Sequence, residues 1–570
     1  MLSKLEDPAL AEVSVRVHSR QDDNGNNSQN FPVPLDVLWT RKAIQESPLA
    51  AHVSRVKDML RETETHDETM YDSALGMLIK EAQNLPLDSY SQDLVQMTEN
   101  ATELLREIME ARAASDSPSK GCRPPRVTAR QAIVSEDAVK KILDRAGEGS
   151  SCTKSKVVPC SSPAYAQVME EFGLSGVAAY PVFLGCWWMS LQLEDFNDWR
   201  KDYISILDYC FFLEYNVDKV NHGRSSTALM RHVLALWDMP HLSSEMRLRR
   251  AHMLHSMSFF DLKRRHESEI RGRKTDGLTT WVHSDRDMWR DFKALDSAGF
   301  AHFLSFAKGV EGRDDMMIPG LVNDWVDLGP DLRYEECNQS VFALTRGSLA
   351  LEDLLLCYER TVWMLNASFV SERRRVGSQS FAATCIWQMC NHRQDVWRYY
   401  SLAFDLCSAV EALDLYKVAN LADCYTPDLL PKKDVANAGV LRVSRRRYSY
   451  RVCVDGTEYS GGIELDREVC DAVQEGLLPK SMVDYQLILP HLLRQGQVTA
   501  DTFLHHMDSH YCAHFVDVMR SGHGHDFSRP CQRAIACLVM EEWRSGLFFA
   551  MGIGSLIDAR PDYTANDRPY

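Results

Sequence analysis

The stretch LVNDWVDLGPDLRYEECNQSV, Leu321 to Val341, decides how the chain is read. It sets Asn323, Asp324, Asp327, Asp331, Glu335 and Glu336 within fourteen positions, directly after the apolar run MMIPGLV. Asn323, Asp327 and Asp331 recur at steps of four. On a helix that spacing stacks three oxygen-bearing side chains along one face, each displaced by about 40° from the last. The apolar approach turns the face inward, where crowded carboxylates are costly without a cation. Hard oxygen ligands in a row suit Mg2+, which binds through carboxylates, water and substrate phosphates. The competing reading is a solvated, Asp-rich helix end, and the stretch alone favours that reading.

The rest of the chain sets limits. A length of 570 residues allows two to four domains. With 45% apolar and 25% charged residues the composition is that of a globular protein. A formal net charge of −16 argues against a nucleic-acid partner. Sixteen cysteines are scattered without a CxxC pair, and the first twenty residues lack an apolar signal segment. Both point to reduced thiols and a cytoplasmic protein. Phe172–Leu193 is uncharged and long enough to span a bilayer. It carries Pro181, three glycines and the pair Trp187–Trp188, and it stands alone, so a core helix is expected and no stable membrane span.

Local pattern divides the chain into a polar lead-in over 1–34, expected to be disordered, an N-terminal helical region with linkers over 35–155, a helical domain over 156–425 and a mostly helical C-terminal region over 426–570. The strand signal lies in RRRYSYRVCVDGTEYSGGIEL, which alternates around Asp455-Gly456 and predicts a β-hairpin, with helices resuming at Ser481. The fold class expected is mainly α. Two other runs stand out. His506, His510 and His514 lie at steps of four, with Cys512, His523 and His525 close by; histidines without metal are the expected reading. RVSRRRYSYR, from Arg442, is a local basic patch, read as a solvated strand flank. Neither a GxSxG elbow nor a phosphate-binding P-loop occurs.

Four segments move the reading of the acidic stretch. NDWVDLGPD opens on Asn-Asp and continues with acids at four-residue steps. EECNQSVFALTRGSLALEDLLLCYERTV runs from it into an acidic amphipathic helix. DVWRYYSLAFDL carries Arg398-Tyr399 about 75 residues after Asn323, approached through IWQMCNHRQDVW. Upstream, DYCFFLE places Asp208 and Glu214 after an apolar run. Together they resemble the class I terpene synthase family, over roughly residues 165–420. The same NDxxDxxxD letters also resemble membrane prenyltransferases of the UbiA type, which need several spanning helices that this chain lacks.

The resemblance implies a class I terpenoid synthase-like helical bundle, with an extra N-terminal helical region and the C-terminal hairpin outside it. It implies a Mg2+-dependent lyase that ionises a linear prenyl diphosphate, farnesyl diphosphate by family frequency, and cyclises the cation. The implied metal ligands are Asp208, Glu214, Asn323, Asp327 and Asp331. Arg398 and Tyr399 are the implied catalytic donors to the diphosphate, with Arg286 as its sensing arginine. Phe211, Phe212, Trp187 and Trp188 are candidates to face the cation. The chain departs from the family in three places. Tyr209 stands where the first motif doubles its Asp, and Asp327 where Ser or Thr is common. Gly329-Pro330 interrupts the second motif, so a kink is expected there and Glu335 competes with Asp331 as third ligand. A prenyl chain-elongating enzyme or soluble prenyltransferase, and a non-catalytic helical interaction protein, are the alternatives.

Overall fold

The computed structural model describes residues 12–15, 37–40, 103, 317–329, 331, 339–345, 349–370, 385, 396–418, 441–507 and 529–557. Strands β1 (Glu12–Val15) and β2 (Val37–Thr40) pair antiparallel near the N-terminus. The helical pattern expected from Leu35 therefore meets a strand in VLWT, a β-branched and aromatic run. The helices that follow are α1 (Met317–Val326), α2 (Ser340–Leu344), α3 (Leu351–Val370), α4 (Val396–Ala403) and α5 (Cys407–Glu411). Next come β3 (Lys417–Val418), β4 (Leu441–Arg442), β5 (Arg445–Val454) and β6 (Thr457–Asp466). The C-terminal helices are α6 (Arg467–Gln474), α7 (Lys480–Val483), α8 (Leu489–Arg494), α9 (Arg529–Arg544) and α10 (Leu547–Ile557), with residues 500–507 also helical. The described C-terminal region is thus mainly helical with a two-stranded antiparallel hairpin.

Helix α10, LFFAMGIGSLI, forms the centre of the described core. A helix apolar on every side has no solvent face to offer, and all eleven of its residues are buried. It packs against α1, α4, α5 and α9. Its glycines set how closely. A Cβ on Gly552 would lie 2.6 Å from the Trp325 carbonyl oxygen of α1, and one on Gly554 would lie 2.0 Å from the Tyr399 carbonyl oxygen of α4. Two residues along a helix are roughly 200° apart around its axis, so α1 and α4 lie on opposing sides of α10. Helices on both sides of the 425/426 boundary share this core.

An aromatic cluster joins α1, α3, α9 and α10. Trp325 meets Tyr358 edge-on at 5.1 Å, Tyr358 stacks on Trp543 at 5.4 Å, and Trp543 stacks on Phe548 at 4.5 Å. Each polar handle is used, as buried aromatics require. The Tyr358 hydroxyl donates to the Trp543 carbonyl, Trp325 Nε1 to Thr361 Oγ1, and Trp543 Nε1 to Cys385 Sγ.

The hairpin forms where alternation and Asp-Gly place it. Asp455 and Gly456 have φ of 48° and 77°, the left-handed pair of a tight two-residue turn. Tyr448, Tyr450, Val452 and Val454 face inward and are buried, while Arg445, Arg447, Ser449 and Arg451 face solvent. Gly456→Ala is expected to cost about 1 kcal/mol in unfolding free energy, since the turn needs a φ that alanine disfavours. Equilibrium denaturation checks it.

Helix α6 begins on the residue after β6, well before Ser481. Asp466 ends the strand and caps the helix, its Oδ1 accepting from the Glu468 N–H at 2.9 Å. With no turn residues between strand and helix, the sequence pattern had nothing to mark. Between α7 and α8 the backbone takes one π turn, Asp484–Ile488, ahead of Pro490 at the start of α8. Among the described residues no helix is long and apolar enough to cross a membrane, and Phe172–Leu193 lies outside them.

Candidate functional site

Helix α1 and the few residues that follow it turn three faces to three surroundings. Trp325 faces α3 and α10. Asp324 and Asp331 face the start of α2. The Ser340 N–H donates to Asp324 Oδ2, and Gln339 Nε2 donates both to the Asp324 carbonyl and, at 3.3 Å, to Asp331 Oδ2. Asp324, only 1% exposed, therefore satisfies an orphan N–H at the α2 N-terminus, where a carboxylate also complements the helix dipole.

Asn323 and Asp327 occupy the third face. Asn323 Nδ2 donates to Asp327 Oδ2 at 3.3 Å, and Asp327 is buried. Helix α1 ends at Val326 and the chain bends at Asp327, so Asp331 lies beyond a break in the helix. Helical-type bonds still run across it, Asp327 N–H to the Asn323 carbonyl and Asp331 N–H to the Asp327 carbonyl, both 2.8 Å. The segment docks on α10. The Gly329 N–H donates to Ser555 Oγ of α10 at 2.9 Å, and a Cβ on Gly329 would meet the Ser555 carbonyl at 2.0 Å. Of the three-residue row, Asn323 and Asp327 pair with each other, while Asp331 is engaged by Gln339.

Across α10, helix α4 buries Arg398 and Tyr399 along with its other six residues. The Arg398 guanidinium carbon lies 5.6 Å from the Tyr399 ring centroid. The same docking helix therefore carries the acidic row on one side and the Arg-Tyr pair on the other. Asp208, Glu214, Arg286, Glu335, Phe211, Phe212, Trp187 and Trp188 lie outside the described residues. Among the described residues, no group of three or more His, Cys, Asp or Glu side chains is arranged to hold a metal. Asn323 and Asp327 present side-chain oxygens one helical turn apart, two donors of the kind a hard cation takes.

His506 is accounted for otherwise. Its Nε2 lies 3.0 Å from Asp455 Oδ1 at the hairpin turn, tying helical residues 500–507 to β5–β6. Burial holds its imidazole below the usual histidine range, against the pull of Asp455. His510, Cys512, His514, His523 and His525 lie outside the described residues.

A second concentration of buried charge lies in MEEWR of α9. Arg544 donates through Nη1 to Asp466 Oδ2 at 2.7 Å, and through Nε and Nη2 to Asn366 Oδ1 at 3.0 and 2.9 Å. Glu541 accepts from the Tyr416 hydroxyl and from the Asp466 N–H. Burial raises the Glu541 carboxyl above its ordinary range, with Arg544 and Tyr416 opposing. The basic hairpin face is partly compensated: Arg451 pairs with Glu458, Arg446 with Asp471, and Arg445 sits over the Tyr416 ring at 3.9 Å.

Sequence reasoning passed over Asp324 because its partners return fifteen and sixteen residues later. For Glu541 and Glu542 a signal was present, adjacent carboxyls inside the apolar run CLVMEEW. No protein family, curated protein or solved structure matches this chain.

Proposed function

We propose that the chain is a Mg2+-dependent class I terpene synthase, a lyase that ionises a linear prenyl diphosphate, farnesyl diphosphate first, and cyclises the resulting cation. One observation supports the reading: Asn323 and Asp327, one turn apart at the end of α1, and Arg398-Tyr399 on α4 belong to segments that both dock on the buried helix α10. They dock on opposing sides of it, so the two groups do not by themselves close on one diphosphate, and Asp208, Glu214 and Arg286 are assigned the contacts that remain.

Asn323 and Asp327, joined by Asp331, Asp208 and Glu214, would hold the metal. Mg2+ supplies Lewis-acid neutralisation of the leaving diphosphate. Arg398 offers a planar fork of donors that matches phosphate oxygens, always charged. Tyr399 offers a hydroxyl to the same group, and Arg286 is the candidate to sense it. Buried donors aimed at developing charge act more strongly than exposed ones, because little water competes.

The test is incubation of the purified protein with Mg2+ and, separately, C10, C15 and C20 prenyl diphosphates, read by gas chromatography–mass spectrometry. Cyclic or linear hydrocarbon or alcohol is expected, strongest with C15. Asp327→Ala and Arg398→Ala are each expected to lower product formation by roughly 10²- to 10³-fold. Asp324→Ala should act on the fold instead, lowering stability by about 1–3 kcal/mol as the Ser340 N–H loses its buried acceptor. Longer diphosphates as product would replace cyclisation with chain elongation. No turnover, together with no Mg2+-dependent diphosphate binding, sinks both enzyme readings. Equal loss of stability in Asp327→Ala and Asp324→Ala would assign Asp327 a structural role.

A further inference from the structure

Glu542 is fully buried in α9, and neither carboxyl oxygen has a hydrogen-bond partner. Its neighbour Glu541 has the hydroxyl of Tyr416 and the N–H of Asp466, with Arg544 at 3.6 Å. One residue is a rotation of about 100° on a helix, enough to leave Glu542 on a different side. The titratable groups on the side of the aromatic cluster are Tyr358, which belongs to it, and Cys385, which accepts from Trp543.

Among the described residues, the cations in this neighbourhood are engaged elsewhere. From the α6 side come Asp466, bound to Arg544, and Glu468, bound to Arg533. Asp466 is also the group at the end of β6. The π turn contributes Asp484, bound to Lys480, and Tyr485. Helix α10 contributes no titratable side chain. On α3 the Tyr358 hydroxyl donates to the Trp543 carbonyl, and Cys385 accepts from Trp543 Nε1. Within α9 itself, Cys537 touches Glu468.

An ionised carboxylate here would stand dry, without a cation or a donor, at a cost of several kcal/mol. We propose that Glu542 is a proton latch: the folded protein holds it as a neutral carboxylic acid, and loss of that proton at alkaline pH loosens the packing of the Trp325–Tyr358–Trp543–Phe548 cluster around α10. The inference does not depend on the prenyl diphosphate reading. Burial alone pushes this carboxyl well above its ordinary value of 4.5. The unfolded chain releases the proton near that ordinary value and the folded chain keeps it. The stabilisation is therefore complete below pH 4.5 and is lost as pH rises toward the folded pKa. Because α10 supports both α1 and α4, alkaline loosening would reach the candidate site as well.

Chemical denaturation of the full chain from pH 5 to 9, read by tryptophan fluorescence, tests this. The folding constant of the native protein is expected to carry a component falling about tenfold per pH unit while one proton separates the folded and unfolded states. Glu542→Gln should remove that component and be the more stable protein at pH 9. Glu542→Met, which carries no polar atom to bury, is the second variant. Glu541→Gln, which breaks a bonded network, should lower stability and keep the component. An infrared band of a protonated carboxyl should persist in the native protein at pH 8 and vanish in Glu542→Gln. Identical pH profiles in native protein and Glu542→Gln, or no such band in the native protein, overturns the proposal.

Discussion

Arg544→Met is expected to lower the unfolding free energy by about 3–5 kcal/mol at neutral pH. The side chain is 1% exposed, and it gathers Asp466, Asn366 and, more distantly, Glu541. Methionine fills much of the volume but supplies no donor. Asp466 and Glu541 would then share a buried pocket with no cation inside it. The loss also spreads along the chain, because Asp466 is the end of β6 and the cap of α6, while Asn366 ties α3 to the Leu415 carbonyl. Three segments far apart in sequence thus depend on one guanidinium. Arg544 opposes the rise that burial imposes on Glu541. Without it the carboxyl should protonate more readily still, so the deficit should shrink as pH is lowered. Denaturation at neutral and mildly acidic pH checks both points, and a loss under 1 kcal/mol would show that Arg544 is not the centre of the network.

What the sequence revealed and what it hid follow one physical distinction. The hairpin was legible because its causes are local: alternating side chains and an Asp-Gly pair able to take positive φ. The Asn323–Asp327 pairing was legible because four residues is one turn of any helix. At Gly329-Pro330 proline's cost is local, but the N–H of Gly329 meets Ser555 from a helix 226 positions away, a partner that no local pattern announces. Asp324 looked like one more member of an acidic row. Its role depends on where the chain returns at Gln339 and Ser340. The central place of α10 was likewise hidden. Apolar residues on all sides say that a helix is buried, but not which helices bury it. His506 carried the spacing of a metal ligand and found Asp455 instead, a partner only the hairpin's position could bring.

Gly554→Ala is expected to destabilise the protein by about 3 kcal/mol, at the upper end of the range for overpacking a close-packed interior. In an isolated helix the same change would stabilise, by roughly 0.8–1 kcal/mol, because alanine is the better helix former. Here the new methyl would lie 2.0 Å from the Tyr399 carbonyl oxygen, 2.6 Å from its carbon and 2.9 Å from its Cα. All three are backbone atoms, so no side chain can swing aside. Relief requires α4 to move as a body, carrying Arg398 and Tyr399 away from α10. Gly476 gives the contrast. Its φ is 76°, but nothing lies within 4 Å of the added carbon, so Gly476→Ala should cost only the conformational strain, about 1 kcal/mol. Gly552→Ala should fall between them, its first contact being the Trp325 carbonyl at 2.6 Å. The order Gly554, Gly552, Gly476 in unfolding free energy is the measurable outcome. If Gly554→Ala were as mild as Gly476→Ala, α4 would not be docked on α10, and the observation that carries the proposed function would fall with it.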